Sequence, residues 1–219
     1  MSGIVELLKA FDRKERAWLV RMALKPAALD QGFLNRVYKE LDLTAPCSST
    51  VWWGMDYHID WLVAALHAFR NGWTVDELTT QKSMTNDDAR ITHSIEDFDF
   101  IIADKERIIL IEAKAFGDWD PKRLEEKLSR LAKLSGDGKV PNSGSDAPVQ
   151  LHLILTSIDN TPDLSDIPSW IFPGGKPLYI KLDIDPGQFM RVARSDKDGK
   201  ISKKGTLWKV AKDRTIKEG

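Results

Sequence analysis

The sequence predicts an α/β fold in which helices pack against a mixed β-sheet. Apolar residues recur at three- and four-residue spacing through the first 72 residues and again after Pro121, which is typical of amphipathic helices. Short apolar runs bounded by turn residues lie between and after these segments, which is typical of strands. The predicted core order is a helix, three strands, a helix and a strand, with further helices before it and further strands after it.

Length and composition indicate one domain with an extension. The chain has 219 residues, of which 42% are hydrophobic and 30% are charged, which suits a helical extension at residues 1–50 followed by a sheet-containing domain at residues 51–219. No run reaches the roughly 18 apolar residues of a membrane span. The first residues lack the hydrophobic block of a secretory signal, so we expect a cytoplasmic protein with no membrane partner. Cys47 is the only cysteine, which excludes an internal disulfide and a cysteine-based zinc cluster.

Four helices are predicted before the sheet. The segments "IVELLKAF", "RKERAWLVRMAL" and "QGFLNRVYKELDL" each carry an apolar stripe at helical spacing. A stronger helix is predicted at residues 55–72, "MDYHIDWLVAALHAFRNG", which Gly72 ends. The first three segments contain no catalytic signature, and packing is the default explanation for them.

The strands are predicted after residue 72. The first three are expected at residues 73–81, 95–103 and 107–114, and the short charged "DKER" segment between the last two is typical of a hairpin. A helix follows in "KRLEEKLSRLAKL", then a long polar loop at residues 135–148. Further strands are expected at residues 149–158 and 176–184, and a final hairpin at residues 190–210 turns at Asp198-Gly199.

Charged residues lie at the ends of the two apolar runs in "EDFDFIIADKERIILIEAK", residues 96–114. Residues i and i+2 of a strand share a face, so Glu112 and Lys114 point the same way. An antiparallel hairpin centred near residues 105 and 106 pairs Asp99 with positions 111–113, which brings the two carboxylates and the ammonium together. Like charges among Ile and Leu are unfavourable unless something compensates them.

A divalent cation would compensate these charges. Two carboxylates, a backbone carbonyl such as that of Ala113, and waters are ligands that suit Mg²⁺. Lys114 would lie beside the ion and hold or deprotonate a water. Such a layout can polarise a phosphodiester and stabilise the charge that grows on it during in-line displacement.

These residues resemble a known signature. Asp99 followed by Glu112-Ala113-Lys114 resembles the PD-(D/E)xK motif of the restriction-endonuclease-like nuclease superfamily, whose αβββαβ core with a mixed central sheet is similar to the predicted order over roughly residues 54–158. The resemblance implies a Mg²⁺- or Mn²⁺-dependent endonuclease that cleaves a phosphodiester, usually in DNA, and leaves a 5′-phosphate. It implies Asp99 and Glu112 as metal ligands and Lys114 as the catalytic lysine. It also implies a further acid on the preceding helix, for which Asp60 is the better placed candidate and Asp56 the second.

The chain departs from the pattern in three ways. No proline precedes Asp99, the helix acid is Asp rather than the commoner Glu, and the following helix lacks a Gln-x-x-x-Tyr motif, so no named branch is indicated. Two alternatives stay open. Glu112 and Lys114 could form a strand-end salt bridge, although such a pair contributes only about 0–1 kcal/mol and does not explain acids on both strands. The chain could also be a catalytically inactive nuclease-fold module that binds nucleic acid or protein.

Basic residues indicate where nucleic acid would bind. Residues 191–219 hold ten Lys or Arg against four Asp or Glu, whereas residues 1–190 hold 22 against 29. Candidate contacts are Lys122 and Arg130 on the helix after the motif, and Arg191, Arg194, Lys203 and Lys204 in the final hairpin. Trp119, Trp170 and Trp208 are candidates for stacking on bases. A homodimer is one way to cut both strands of a duplex. A simple solvated surface is the competing explanation for these charges.

Overall fold

The computed structural model describes residues 2–24, 28–80, 83, 86, 91–93, 96–115, 119–133, 138–142, 145–158, 178–184 and 190–212, without the side chains of residues 142, 145–147 and 212. Trp170 lies outside the described residues.

The described residues form a mixed α/β structure with two sheets. The helices are α1 (Ile4–Phe11), α2 (Glu15–Ala23), α3 (Gln31–Glu40), α4 (Ile59–Arg70) and α5 (Pro121–Ala132), with short 3-10 helices at Ser48–Thr50 and Asp76–Thr79. The strands are β1 (Trp52–His58), β2 (Asp97–Ala103), β3 (Arg107–Lys114), β4 (Lys139–Asn142), β5 (Ser145–Ser157), β6 (Leu178–Lys181), β7 (Met190–Ser195) and β8 (Leu207–Lys212).

The larger sheet is mixed, as the sequence predicts. Its strand order is β1-β2-β3-β5-β4, and β6 also pairs with β5. β1 and β3 run antiparallel to β2, whereas β3 and β5 are parallel. β7 and β8 form a separate antiparallel hairpin. β3 therefore lies inside the sheet between two strands that hold it on both edges.

Both faces of the sheet are covered, which explains why β3 reads as an unbroken apolar run. Ile108 and Leu110 belong to one buried cluster, together with side chains of α1, α4 and α5. Ile109 and Ile111 belong to a second cluster on the opposite face, together with side chains of α3. A strand that is buried on both faces has no solvent side on which polar residues could alternate.

Of two predicted elements around residues 55–81, the helix is confirmed over Ile59–Arg70 only, and the strand is wrong. The predicted helix at residues 55–72 begins only at Ile59, because residues 52–58 form β1 and pair with β2. The strand predicted at residues 73–81 is replaced by the 3-10 helix Asp76–Thr79 as far as residue 80, and residues 81 and 82 are not described. Thr74 and Glu77 bond to each other's backbone N–H there, which is a capping box.

The loop predicted at residues 135–148 is also corrected. Residues 139–142 form β4, which pairs with the first part of β5. The predicted strands at 95–103 and 107–114, the helix after Pro121, and the hairpin that turns at Asp198-Gly199 are confirmed. Gly199 has a φ of 77°, as the turn requires.

The helices of the predicted extension share the cores of the sheet. Ile4, Leu7 and Leu8 of α1 are fully buried in the same cluster as α4 and β3. The Tyr57 hydroxyl on β1 donates a 2.9 Å hydrogen bond to the Leu8 carbonyl. The core thus includes residues on both sides of position 50, while the domain boundary itself stays a prediction.

Candidate active site

The pairing of β2 with β3 stops before the end of β3. The last paired residues are Phe100 and Ile111. Beyond them the Ala113 N–H donates to Asp99 Oδ2 at 2.6 Å, so a carboxylate takes the place of a strand partner. The strands no longer share backbone hydrogen bonds at this end, and a pocket lies there.

A local distortion in β1 and β2 accompanies this divergence. Phe98 and Ile101 pack in the same core cluster, although residues three apart on a regular strand face opposite ways. Phe100 packs against the other cluster. Opposite Asp99 on β1, Asp56 has a φ of 48°, a left-handed conformation that Asp tolerates better than most residues. The distortion keeps Phe98 in the core while the adjacent Asp99 reaches β3.

The pocket gathers acidic and basic side chains in a volume of about 230 Å³. Its lining includes all three residues of the predicted motif, Asp99, Glu112 and Lys114, as well as Ala113. The other residues that line it are Asp97, Trp119, Asp120, Arg123, Leu124 and Lys127. The three residues that the sequence predicts to converge therefore line one pocket.

The Glu112 carboxyl is the most deeply placed acid of the motif. Its residue is 8% exposed, and burial raises its pKa from 4.5 to about 7. The Lys127 ammonium opposes this rise, while Asp99 adds to it by charge repulsion and through a hydrogen bond between the two carboxyls. A hydrogen bond between two carboxyls requires a proton on one of them. When both are ionised, that proton is gone and two negative charges lie side by side.

The Lys127 ammonium partly neutralises the charge of the Asp99 and Glu112 carboxyls. Its ammonium donates to Glu112 Oε1 and, at 2.6 Å, to the Asp97 carbonyl, so it bridges the ends of β2 and β3. It projects from α5, which begins at the pocket with Asp120 as its N-cap and Pro121 in its first turn. Asp97 also pairs with Lys14 at 3.0 Å, which attaches the start of α2 to the pocket wall.

The helix acids lie elsewhere. Asp60 is absent from the pocket lining and pairs with Arg130, and its Oδ2 accepts the His93 N–H at 2.8 Å. Asp56 belongs to β1 rather than to the predicted helix, and its carboxylate lies 2.9 Å from Arg16. The structure therefore leaves Asp60 and Asp56 out of the lining of the pocket that Asp99 and Glu112 share.

The predicted nucleic-acid contacts separate into two groups. The Arg130 side chain is 8% exposed and pairs with Asp60 and Glu96, so a buried ion network replaces the expected surface role. Lys122 is exposed on α5, 4.0 Å from Glu126. Arg191, Arg194, Lys203 and Lys204 are exposed on the β7–β8 hairpin and its connection.

Sequence reasoning did not assign site roles to Asp97, Asp120, Arg123 and Lys127. A usable signal existed for Lys127, because it lies three residues after Leu124 and four before Leu131 and so falls on the apolar stripe of α5. A lysine on the buried face of a helix needs a partner. The aspartate that caps α5 and the arginine in its first turn had no comparable signal.

The carboxylates of the pocket determine whether it fits a divalent metal. Within the described ranges, no group of three or more His, Cys, Asp and Glu side chains is arranged to hold an ion. Mg²⁺, however, commonly takes one or two carboxylates and keeps several waters. Asp99 and Glu112 are in hydrogen-bonding contact, and Lys127 pairs with Glu112. Their two carboxylates match the number of protein ligands that Mg²⁺ commonly takes.

No protein-family model, curated protein or solved structure matches this chain. In the part of the chain that the structure describes, no helix combines the length and the apolar character needed to cross a membrane.

Proposed function

We propose that this protein is a Mg²⁺-dependent, endonuclease-like phosphodiesterase that hydrolyses DNA, built on a restriction-endonuclease-like core. The observation that carries the proposal is that Asp99, Glu112 and Lys114 all line one pocket at the ends of β2 and β3. The resemblance of the motif to that of PD-(D/E)xK nucleases supports the choice of DNA.

Each side chain has a chemical task in this proposal. Asp99 and Glu112 would hold Mg²⁺, which would supply Lewis-acid polarisation of a phosphate oxygen. Lys114 orients the attacking water by hydrogen bonding. Arg123, which also lines the pocket and is half exposed, is placed to contact a phosphate. Lys127 holds Glu112 in position, because its ammonium bonds to that carboxylate and to the β2 backbone.

The test is cleavage of plasmid and labelled oligonucleotides in Mg²⁺, in Mn²⁺ and in EDTA. Glu112→Gln, Asp99→Asn and Lys114→Ala should each lower the rate by about 100-fold or more, since each removes a group that acts on the reacting atoms. Lys105→Ala and Glu126→Gln serve as controls, because both side chains are well exposed and neither lines the pocket. A metal-independent activity, or full activity of Glu112→Gln, would contradict the proposal.

Metal binding can be measured apart from activity. Mg²⁺ should raise the melting temperature of the wild-type protein at pH 8, which is above the Glu112 pKa of about 7, and should have a smaller effect at pH 5.5. Asp99→Asn should lose most of this stabilisation. An equal Mg²⁺ effect in the variant would exclude Asp99 as a ligand.

A second function is favoured by one observation. The Lys127 ammonium already occupies one oxygen of Glu112, and Asp60 is engaged by Arg130. This pairing suits a catalytically inactive nuclease-fold module that binds nucleic acid or protein. Nucleic-acid binding that survives Glu112→Gln, together with no cleavage in either metal, would select this function.

A further inference from the structure

The β7–β8 hairpin exposes an apolar face. Val192 pairs with Val210, and Arg194 pairs with Trp208. Paired residues and residues two apart share a face, so Met190 lies beside these four. The exposed fractions are 62% for Met190, 72% for Val192, 71% for Trp208 and 54% for Val210. Large apolar side chains gathered on one exposed face indicate a binding surface.

The same hairpin is strongly basic. Residues 190–212 contain eight Lys or Arg and only two Asp or Glu. Arg194 is exposed on the apolar face beside Trp208, while Lys203 and Lys204 lie on the connection. An anionic partner is therefore favoured on charge grounds.

The connection between the strands is held in place. Arg194 Nε donates to the Gly205 carbonyl at 2.9 Å, and Lys209 Nζ donates to the Gly199 carbonyl at 2.8 Å. A Cβ at position 205 would lie 2.2 Å from the Ser195 carbonyl oxygen, so glycine is required for this close approach. The surface is preorganised, which lowers the entropic cost of binding.

We infer that this face binds single-stranded nucleic acid, with an unpaired base stacked on Trp208 and the backbone along the lysines and Arg194. The inference deepens the proposed function and rests on DNA being the substrate. Aromatic side chains within a basic groove are the recurring means of binding single strands. A duplex stacks its bases inside and presents phosphates outward, which would place charge against Met190, Val192 and Val210. A second copy docked face to face would bring two basic hairpins together, which charge repulsion opposes.

The experiment measures fluorescence anisotropy of a labelled 20-nucleotide oligo(dT) and of a labelled 20-base-pair duplex, in EDTA so that no cleavage occurs. The variants are Trp208→Leu, which keeps apolar surface but removes the ring, and Trp208→Phe, which keeps a ring. Leu207→Ala is the matched control, because Leu207 is 52% exposed on the opposite face of the same hairpin. Circular dichroism checks that each variant is folded.

We expect oligo(dT) to bind more tightly than the duplex, and Trp208→Leu to weaken oligo(dT) binding about ten-fold or more. Trp208→Phe should stay within about three-fold of wild type, since every aromatic ring offers a stacking face. Leu207→Ala should bind as the wild type does. Unchanged binding by Trp208→Leu, or tighter binding of the duplex, overturns the inference. So does a dimer in analytical ultracentrifugation that Trp208→Leu dissociates, because the face would then be an interface between copies.

Hydrolysis of a small substrate tests the proposed catalytic function, and binding of oligo(dT) tests the inference, so the two can be judged independently. Hydrolysis of the small substrate bis(p-nitrophenyl) phosphate should not need the hairpin, because no hairpin residue lines the pocket. Metal-dependent hydrolysis with no effect of Trp208→Leu on binding would remove the inference alone. The expected binding pattern with no hydrolysis of any substrate would remove the proposed catalytic function alone.

Discussion

The ionisation of Glu112 makes the stability of the protein depend on pH. Its pKa of about 7 in the folded protein exceeds its ordinary value of 4.5, chiefly because it is buried. Between these two values the folded chain holds a proton that the unfolded chain has lost. The contribution of this group to the free energy of unfolding is therefore full below pH 4.5 and falls as the pH rises to about 7.

The stability of the protein should therefore fall with rising pH because of Glu112. In EDTA, the stability of the wild-type protein relative to Glu112→Gln should fall between pH 5 and pH 7.5, by up to about 3 kcal/mol at about 1.4 kcal/mol per pKa unit. Urea unfolding at a series of pH values measures it. Stability profiles of the two proteins that run parallel would show that Glu112 ionises normally.

Lys127 should contribute strongly to the stability of the protein, because it pairs with the buried Glu112. At pH 8, Lys127→Met should lower the free energy of unfolding by about 3–5 kcal/mol, because the buried Glu112 carboxyl, which is ionised above its pKa of about 7, loses its partner. Adding Glu112→Gln to Lys127→Met should recover part of the loss. Lys122→Met is the control, since the Lys122 side chain is 85% exposed on the same helix. Additive effects of Lys127→Met and Glu112→Gln in urea unfolding would contradict a direct pair.

Among the secondary-structure elements, α1 behaves as a core helix. Leu7 is fully buried in the cluster that contains β3 and α4. Leu7→Ala should cost about 2–5 kcal/mol of stability, because it leaves a cavity in that core. Leu19→Ala, at a position on α2 that is 66% exposed, should change the stability by less than about 0.5 kcal/mol. Thermal or urea unfolding compares the two, and equal small effects would mean that α1 is an independent appendage.

The elements also show which parts of the fold could be predicted from sequence. β3 was found with its observed limits, because residues 108–111 form a short apolar run between charged residues. The sequence does not predict β1, because no turn residue separates "WWGMDYH" from α4. The helical spacing of apolar residues in α4 therefore extends into residues that form the strand. Thr74-x-x-Glu77 was a capping signature within residues that were assigned to a strand. Local pattern could not reveal that β1, the strand that pairs with β2, precedes α4 in the chain.

The site was predictable where strand alternation decided it. Glu112 and Lys114 share a pocket with Asp99 because hairpin register places them there. Asp60 was misplaced because the choice depended on which side chain of a neighbouring helix faces the strand ends, and Arg130 holds it away from them. Its position is set by an ion pair between residues 70 positions apart, which no local pattern encodes.

At the scale of the whole molecule, charge is divided along the chain. The basic hairpin contrasts with residues 1–190, which hold 22 Lys or Arg against 29 Asp or Glu. Binding of oligo(dT) in EDTA should therefore weaken steeply as salt increases. The double variant Lys203→Ala/Lys204→Ala should reduce the slope of log affinity against log salt by roughly 1 to 1.5, at about 0.7 per phosphate contact on a single strand.

The matched control for that salt dependence is Lys39→Ala/Lys105→Ala, which removes the same charge from exposed positions outside the hairpin. It should leave the slope close to that of the wild type. Equal slopes for both double variants would mean that net charge, rather than the hairpin, governs binding.

The pairing of β3 on both edges limits how this chain can change. A residue inserted between Arg107 and Ile111 would shift every later side chain of the strand to the opposite face. Glu112 would then occupy the present place of Ala113, and the acid pair would be lost although no amino acid had been removed. The turn at residues 104–106 lies outside the paired segment, so insertions that appear during evolution should accumulate there and spare the strand.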